Sequence, residues 1–285
     1  MTERLKKIGY FVRRNPVLVV GGFFVFVILF FAVFGPQFCR HDYSKIDYSL
    51  KCIAPCKEYW FGTDSSGRCM LCRILHGAHI SIGVGLSVVL LGALIGVVIG
   101  IISGYVGGKT DFVIMRIVEV ILSFPGTIFA LAVLGTIGNG IYNQIIAMTL
   151  VRWAHYARFV RTETISVMNS EYIEAATALG NSRLRIAAKY VMPNIISRVL
   201  VMISISIGPA ILAGAALSYL GLGAQIPSPE WGLLVSGGKE FIRTAPWITL
   251  FPGLVTAFTA LAFNLAGEGF GDLMDPRLKE RVVSD

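Results

Sequence analysis

Six long apolar runs constrain the fold of this chain more than any other feature of its sequence. They cover approximately residues 16–34, 80–103, 112–137, 141–160, 195–220 and 247–267. A helix needs about 20 apolar residues to cross the hydrocarbon core of a bilayer, and each run reaches or approaches that length. The pattern therefore predicts an all-α, polytopic membrane protein with six transmembrane helices.

The composition favours lipid rather than water as the main surroundings of the chain. Charged residues make up 15% of the sequence, whereas soluble proteins carry roughly 25%. The net charge of +8 does not indicate nucleic-acid binding, because the basic residues lie in short blocks between the apolar runs.

The distribution of Lys and Arg predicts the orientation of the chain. With the N-terminus inside, the inside segments hold 17 of these residues and the outside segments hold 8. Because basic residues favour the cytoplasmic side, we expect a multi-pass protein of the cell (inner or plasma) membrane with both termini in the cytoplasm. No small-residue cleavage site follows the first run, so we interpret it as a retained helix rather than a signal peptide.

Two features within the runs predict how the helices pack and bend. Glycines of the second run are expected to form a ridge that lets neighbouring helices approach closely. They are Gly83, Gly85, Gly92, Gly96 and Gly100. Pro125 is expected to kink the third run without ending it.

The basic segment 161–194 is predicted to fold as two short helices joined by a sharp turn. Asn169 or Ser170 can cap the first helix, whose first turn carries acidic residues such as Glu174. Gly180 suits the left-handed exit from that helix.

The second short helix is basic and is expected to run from a cap at Asn181 or Ser182 to Pro193. The pair would lie on the cytoplasmic side, rigidly joined to the fourth and fifth spans. If Ala175, Ala176 and Ala178 share one side of the first helix, a partner protein could approach it closely and tilt the spans. The alternative is an amphipathic loop helix that rests in the lipid headgroups.

A motif in this segment resembles the EAA motif of binding-protein-dependent ABC importers. It reads Glu174-Ala175-Ala176-x3-Gly180-x9-Tyr190-x-Met192-Pro193. The family pattern usually ends Ile-x-Leu-Pro, and Tyr190 and Met192 occupy the first and third of these positions here. The resemblance implies that Glu174, Ala175, Ala176, Gly180 and Pro193 belong to a cytoplasmic coupling helix that docks in a groove of an ATPase.

Further segments, from about residue 60 to the C-terminus, resemble the peptide and nickel branch of the same family. They read Phe61-Gly-Thr-Asp64-x2-Gly67-Arg68, Ser218-Tyr-Leu-Gly-Leu-Gly223 with Pro229-Glu-Trp231-Gly232, and Asn264-Leu-x-Gly267-x4-Asp272-x2-Asp275-Pro276-Arg277. The first departs from the pattern, since Cys69 stands in place of an Asp and Cys72 in place of a Ser. We divide the chain into an N-terminal helix with a cysteine-containing outer loop (1–79) and a permease core (80–285).

The resemblance implies a permease subunit of an ATP-driven importer that has no ATPase site of its own. Its implied partners are a homologous second permease, two cytoplasmic ATPase subunits that bind ATP, and an external solute-binding protein. No cofactor bound by the permease itself is implied for transport. Oligopeptides or dipeptides are the expected solutes, and nickel or a metal chelate is the alternative.

Other functions have weaker support in the sequence. The stretch Ser103-Gly-Tyr-Val-Gly-Gly-Lys109-Thr110 resembles a phosphate-binding loop, but Ser103 replaces its first glycine and a strand does not precede it. An energy-independent channel or an intramembrane enzyme would need a ring of charge or a catalytic pair within the spans, and none is visible.

All five cysteines lie between residues 39 and 72, on the predicted outer side. Cys52-x3-Cys56 and Cys69-x2-Cys72 have spacings that suit a four-thiolate structural Zn or Fe–S site. Structural disulfides are equally compatible with this side of the membrane, and free thiols are the third possibility.

Overall fold

The computed structural model describes residues 15–274, and the regular secondary structure of this part is helical apart from one isolated bridge between Thr63 and Cys69. The helices are α1 (Pro16–Phe34), α2 (Met70–Val106), α3 (Gly108–Leu122), α4 (Gly126–Ile137), α5 (Ile141–Met168), α6 (Glu171–Ala178), α7 (Arg183–Ile186), α8 (Met192–Tyr219), α9 (Trp231–Gly238) and α10 (Trp247–Met274). The basic N-terminal block and the end of the C-terminal signature from Asp275 onward lie outside the described residues.

Four helical stretches of residues 15–274 are long and apolar enough to cross a membrane. They are Pro16–Phe38, Met70–Val106, Arg183–Tyr219 and Trp247–Met274. The pair α3 and α4 reaches the same criterion if its two halves count as one span. The structure thus supports four or five of the six predicted spans by length and composition, and α5 is the run that falls outside this set.

The third predicted run is not one kinked helix, as the sequence led us to expect. It is broken into α3 and α4, which lie at 90° to each other. Pro125 has no N–H to donate, and its ring disfavours helical geometry in the preceding residue. With φ −57° and ψ 123° it leaves the helical region and becomes the residue from which α4 starts.

Three of the five glycines in the predicted ridge pack α2 along α5. A Cβ atom at Gly92 would press on the side chain of Arg152, and at Gly96 or Gly100 it would collide with the backbone of α5. Close approach of the two helices therefore requires glycine at these positions. Gly83 and Gly85 do not belong to this contact. A Cβ at Gly83 would meet nothing within the described part of the chain, and a Cβ at Gly85 would press on the side chain of Ile211 in α8.

The loop that precedes α2 is organised around Asp64. Its Oδ1 accepts hydrogen bonds from the N–H groups of Ser66 and Arg68 at 2.8 and 2.9 Å, and Arg68 Nε donates to Oδ2 at 2.8 Å. Arg73 in the first turns of α2 also pairs with Oδ2. Burial alone would raise the pKa of Asp64, but the Arg68 N–H and the charges of Arg73 and Arg68 hold it below its ordinary value.

Two tryptophans connect this end of α2 with the rest of the bundle. The indole of Trp231, which is 1% exposed, donates to the carbonyl oxygen of Ile74 at 2.9 Å. The indole of Trp247 donates to the carbonyl oxygen of Thr63 at 3.1 Å. The two segments that resemble the peptide and nickel branch, Phe61–Arg68 and Pro229–Gly232, therefore meet around the start of α2.

Candidate coupling surface

The segment predicted to couple to a partner lies at the far end of α2 from the Asp64 loop. Val97 and Ile101, near the C-terminus of α2, pack in one apolar cluster with residues of this segment. A helix of the length of α2 measures about 55 Å at 1.5 Å per residue. The two ends of the molecule are therefore separated by more than the thickness of a bilayer core.

The first short helix, α6, forms where the sequence predicts it. Ser170 is its N-cap residue, although the Ser170 side chain does not donate or accept a capping hydrogen bond. Glu171 and Glu174 lie in the first turn, where negative charge opposes the helix dipole.

The turn after α6 is a Schellman motif built on Gly180. Gly180 has φ +77°, which confirms the predicted left-handed exit. Its N–H donates to the carbonyl oxygen of Thr177 at 2.9 Å, and the Asn181 N–H donates to that of Ala176 at 3.3 Å. The Asn181 side-chain amide also donates to the Ala176 carbonyl, at 2.8 Å, and so stiffens the turn.

The second short helix begins as predicted but does not end at Pro193. Ser182 caps α7 by accepting a hydrogen bond from the N–H of Arg185 at 3.4 Å. The chain then passes through a π-helical turn, Ala187–Val191, and continues into α8, with Pro193 in the first turn of that helix. The wider π-helical turn lies where the proline ring would otherwise crowd the carbonyl of Lys189, and the first turn of a helix tolerates proline.

The buried side of the segment fixes it to the bundle. Ile173, Ile186 and Val191 are at most 2% exposed and pack with residues of α2, α5 and α8 in one cluster. A displacement of α6 would therefore be transmitted to three long helices at once, because packed side chains do not compress.

Ala176 belongs to this buried side, contrary to the expectation that the three alanines share an exposed face. It is 4% exposed, whereas Ala175 and Ala178 are exposed. The reason is the helical period: residues 173 and 176 lie three positions apart and face the same direction. The exposed small-residue face consists of Ala175 and Ala178.

Two leucines that the sequence analysis did not single out stand beside that face. Leu179 is 83% exposed and Leu184 is 84% exposed, and they flank the Gly180 turn. A Cβ at Gly180 would meet no atom of the described part of the chain within 4 Å, so the surface around it is open there. The position of Leu179 next to the turn residue Gly180 is a signal that could have found it, whereas no comparable signal marks Leu184, which lies between two arginines in α7.

Two ion pairs brace the helices that carry the segment. Arg161 on α5 binds Asp111 on α3 in a bidentate pair, with Nε–Oδ1 and Nη2–Oδ2 distances of 2.5 Å. Ser103 at the end of α2 donates to the same Asp111 Oδ1 at 2.6 Å. Arg198 on α8 pairs with Glu163 on α5. The ends of α2, α3, α5 and α8 that lie nearest this segment are thus linked through polar and charged side chains.

The four cysteines expected to share a site are not brought together. Cys69 and Cys72 are buried side by side with Cys39 packed against them. Cys52 packs instead against the cluster that contains Met70 and Trp231, and Cys56 is exposed. All five thiols are free, and no group of three or more His, Cys, Asp or Glu within residues 15–274 has metal-binding geometry.

These features define a class of protein, a helical membrane protein with an exposed, braced helix–turn–helix at one end of its bundle. The family described as binding-protein-dependent transport system inner membrane component matches residues 96–280. The family described as the N-terminal TM domain of oligopeptide transport permease C matches residues 11–55. The chain therefore belongs to the inner-membrane permease components of binding-protein-dependent transport systems, which confirms the family predicted from the EAA motif.

Curated relatives resemble the chain over almost its whole length. It is 37% identical to the dipeptide transport system permease protein DppC of Alkalihalophilus pseudofirmus, over 94% of this chain and 88% of the relative. It is 35% identical to the probable D,D-dipeptide transport system permease protein DdpC of Escherichia coli strain K12, over 95% and 91%. It is 38% identical to the glutathione transport system permease protein GsiD of Escherichia coli O6:K15:H31, over 94% and 88%.

Proposed function

We propose that this permease translocates short peptides that an external binding protein delivers. The three relatives described above are named for dipeptides, D,D-dipeptides and glutathione, all of which are short peptides or peptide-like molecules. This shared chemistry favours a peptide over the alternative of nickel or a metal chelate.

The exposed surface around Gly180 is the observation that carries the coupling part of the proposal. An open turn flanked by two exposed leucines and the small residues Ala175 and Ala178 suits close docking of a soluble protein. An exposed apolar patch of this kind on a cytoplasmic face would be costly unless a partner covers it. We assign that partner to the ATPase subunits, of which two would serve this permease and a homologous second permease.

The proposed topology has six spans with both termini in the cytoplasm, and α5 is the span that needs explanation. Its 28 residues are long enough to cross, but basic side chains interrupt its apolar run. Three of its exposed residues, His155, Arg158 and Thr162, are spaced i, i+3, i+7 and so share one face. Such a face avoids lipid, and it fits a helix that lines a hydrated pathway or contacts the second permease.

The proposed mechanism uses the geometry of the coupling segment. ATP binding by the partner subunits would draw them together and push on α6. Because Ile173 and Val191 lock the segment to α2, α5 and α8, that push would tilt these helices and switch the access of the pathway.

Purification and reconstitution test this proposal. The intact complex is purified through a tag on this chain, and ATP hydrolysis is measured with binding protein alone or loaded with a peptide or with Ni²⁺. Co-elution with an ATPase and a second permease, with stimulation by peptide-loaded binding protein, is the expected result. A lone homo-oligomer would contradict the importer assembly, and stimulation by Ni²⁺ alone would replace peptide with the metal as solute.

A further inference from the structure

Three cysteines form a compact cluster where the end of α1 meets the start of α2. Cys39 follows the short 3-10 turn after α1, Cys69 is the N-cap residue of α2, and Cys72 lies in its first turn. Cys69 and Cys72 are 5% and 2% exposed. Cys39 is partly buried and packs against this pair, and its thiol donates to the carbonyl oxygen of Gly35 at 3.7 Å.

His76 and Tyr43 hold the sulfur of Cys39 against α2. His76 Nδ1 lies 2.9 Å from the carbonyl oxygen of Cys72 and 3.9 Å from Cys39 Sγ. A carbonyl oxygen can only accept, so Nδ1 carries the hydrogen and the imidazole orientation is fixed. The Tyr43 ring stacks on that imidazole with centroids 4.2 Å apart. The Cys39 side chain is therefore positioned over the turn that contains Cys72.

The environment of the cluster favours a structural role over a reactive one. Burial raises the pKa of the Cys39 thiol, and the hydrogen bond to Cys72 followed by burial raises that of Cys69. Protonated thiols are poor nucleophiles and poor metal ligands. Within residues 15–274 the cysteines also do not converge with other ligands on a metal-binding geometry.

We propose that Cys39 and Cys72, which are free thiols in this structure, form a structural disulfide in the mature protein. The proposal rests on the proposed topology, because it requires the segment between α1 and α2 to face the oxidising side of the membrane. A Cys39–Cys72 bond would close a loop of 32 intervening residues and tie the end of α1 to α2. A Cys69–Cys72 bond would constrain a single helical turn and remove far less freedom from the unfolded chain.

The bond forms by exchange with an oxidised dithiol, either a small disulfide or a disulfide-carrying protein on the outer side. The thiolate of one cysteine attacks the external disulfide, and a mixed disulfide forms as the first external thiol leaves. The second cysteine loses its proton and displaces the other external thiol. The two cysteines are oxidised by two electrons, and the external disulfide is reduced to two thiols. Because the folded cluster is buried, the exchange occurs before the segment has packed.

Bond mapping on the full-length protein tests the inference. Membranes are denatured without reductant in the presence of N-ethylmaleimide, and the digested permease is analysed by mass spectrometry. We expect a linked peptide pair containing Cys39 and Cys72, with Cys52, Cys56 and Cys69 alkylated. Alkylation of Cys39 and Cys72 without prior reduction, or linkage of Cys72 to Cys69, would overturn the proposal.

Single replacements supply a second readout that does not depend on transport. Cys39→Ser should leave Cys72 open to alkylation after denaturation, and Cys72→Ser should do the same for Cys39. Both should lower the melting temperature by the same amount, and the double replacement should lower it no further. Additive losses would indicate packing alone and contradict the bond, while Cys56→Ser serves as the exposed control.

Exposed Cys56 also separates failure of the bond from failure of the topology. A membrane-impermeant maleimide added to intact spheroplasts should label Cys56 from outside. If Cys56 is labelled from outside while Cys39 and Cys72 are free, the disulfide is refuted and the topology stands. If Cys56 is labelled only after lysis, the topology is refuted and the disulfide proposal falls with it.

Discussion

Arg161 and Asp111 form a bidentate ion pair that joins α5 to α3. Arg161 lies seven residues before the end of α5, and α6 follows directly after that end. Ser103 at the end of α2 donates to the same carboxylate. Three helices that would have to move together in a transport cycle are thus tied at one carboxyl group.

Removing the Arg161–Asp111 pair should reduce the stimulation of ATP hydrolysis by solute more than it reduces the stability of the fold. Asp111→Asn should cost about 1 kcal/mol of stability, since the pair is only partly buried. Solute-stimulated ATP hydrolysis in the reconstituted complex should fall several-fold. The control is Glu119→Gln, which breaks the exposed Arg116–Glu119 pair on the same helix α3. Equal effects of the two replacements would show that the Asp111 tie has no special part in coupling.

Two substitutions of Gly180 distinguish its backbone role, which is the left-handed conformation, from a role in docking a partner. Asparagine tolerates the left-handed region, so Gly180→Asn should cost well under 1 kcal/mol, whereas Gly180→Val should cost about 1–2 kcal/mol. Thermal melting of the purified permease measures both. Because no atom of residues 15–274 lies within 4 Å of the added Cβ, we attribute any further loss of ATPase stimulation to a partner. Full stimulation in Gly180→Val would argue against docking at this turn.

Leu179 and Leu184 should matter for assembly and not for stability. Each is more than 80% exposed, so serine at both positions should leave the melting temperature of the isolated permease within about 1 °C. Recovery of the ATPase on a tagged permease should drop sharply, which densitometry of the purified complex measures. Leu220→Ser is the control, because Leu220 is exposed at the opposite end of α8. An undiminished yield of ATPase with both leucines replaced would place the docking surface elsewhere.

Asp64 should make stability depend on pH in the acid range. The pKa of an unfolded aspartate is about 4, and the folded pKa of Asp64 lies below it. Its contribution is therefore complete above about pH 4 and is lost as the pH falls from there through the folded pKa. Melting temperatures between pH 7 and pH 3 should drop for the natural chain and drop less for Asp64→Asn.

At neutral pH, Asp64→Asn should itself cost about 3 kcal/mol, because Arg73 would remain buried without its counter-charge. Glu58→Gln, an exposed change in the same loop, is the matched control. A pH profile of Asp64→Asn identical to that of the natural chain would contradict the assignment.

Local chemistry made some elements of the coupling segment readable from the sequence. Gly180 was predictable because a left-handed residue is needed after a helix that ends abruptly, and Ser182 because a hydroxyl before a helix can accept an N–H. The family was also predictable, because the EAA motif places Gly180 and other residues of this segment at fixed distances from one another.

Other features depended on tertiary geometry that spacing does not encode. The 90° break at Pro125 and the passage of α7 through Pro193 into α8 are opposite outcomes for the same residue type. The ring of Pro193 is accommodated because Pro193 lies in the first turn of α8 and a π-helical turn precedes it. The sequence does not predict that π-helical turn. The neighbour of Cys72 was likewise hidden, because Cys39 is distant in sequence and reaches it only through the packing of α1 against α2.

Site-specific cross-linking from Leu179 would identify the polypeptide that docks on the Gly180 turn. A photo-reactive amino acid replaces Leu179 in the intact complex in its native membrane, and Tyr142, which is 83% exposed at the start of α5, serves as the matched position. We expect a cross-link to the ATPase subunit from position 179 and none to it from position 142. A cross-link from position 179 to the external binding protein, or to no other polypeptide, would contradict this expectation.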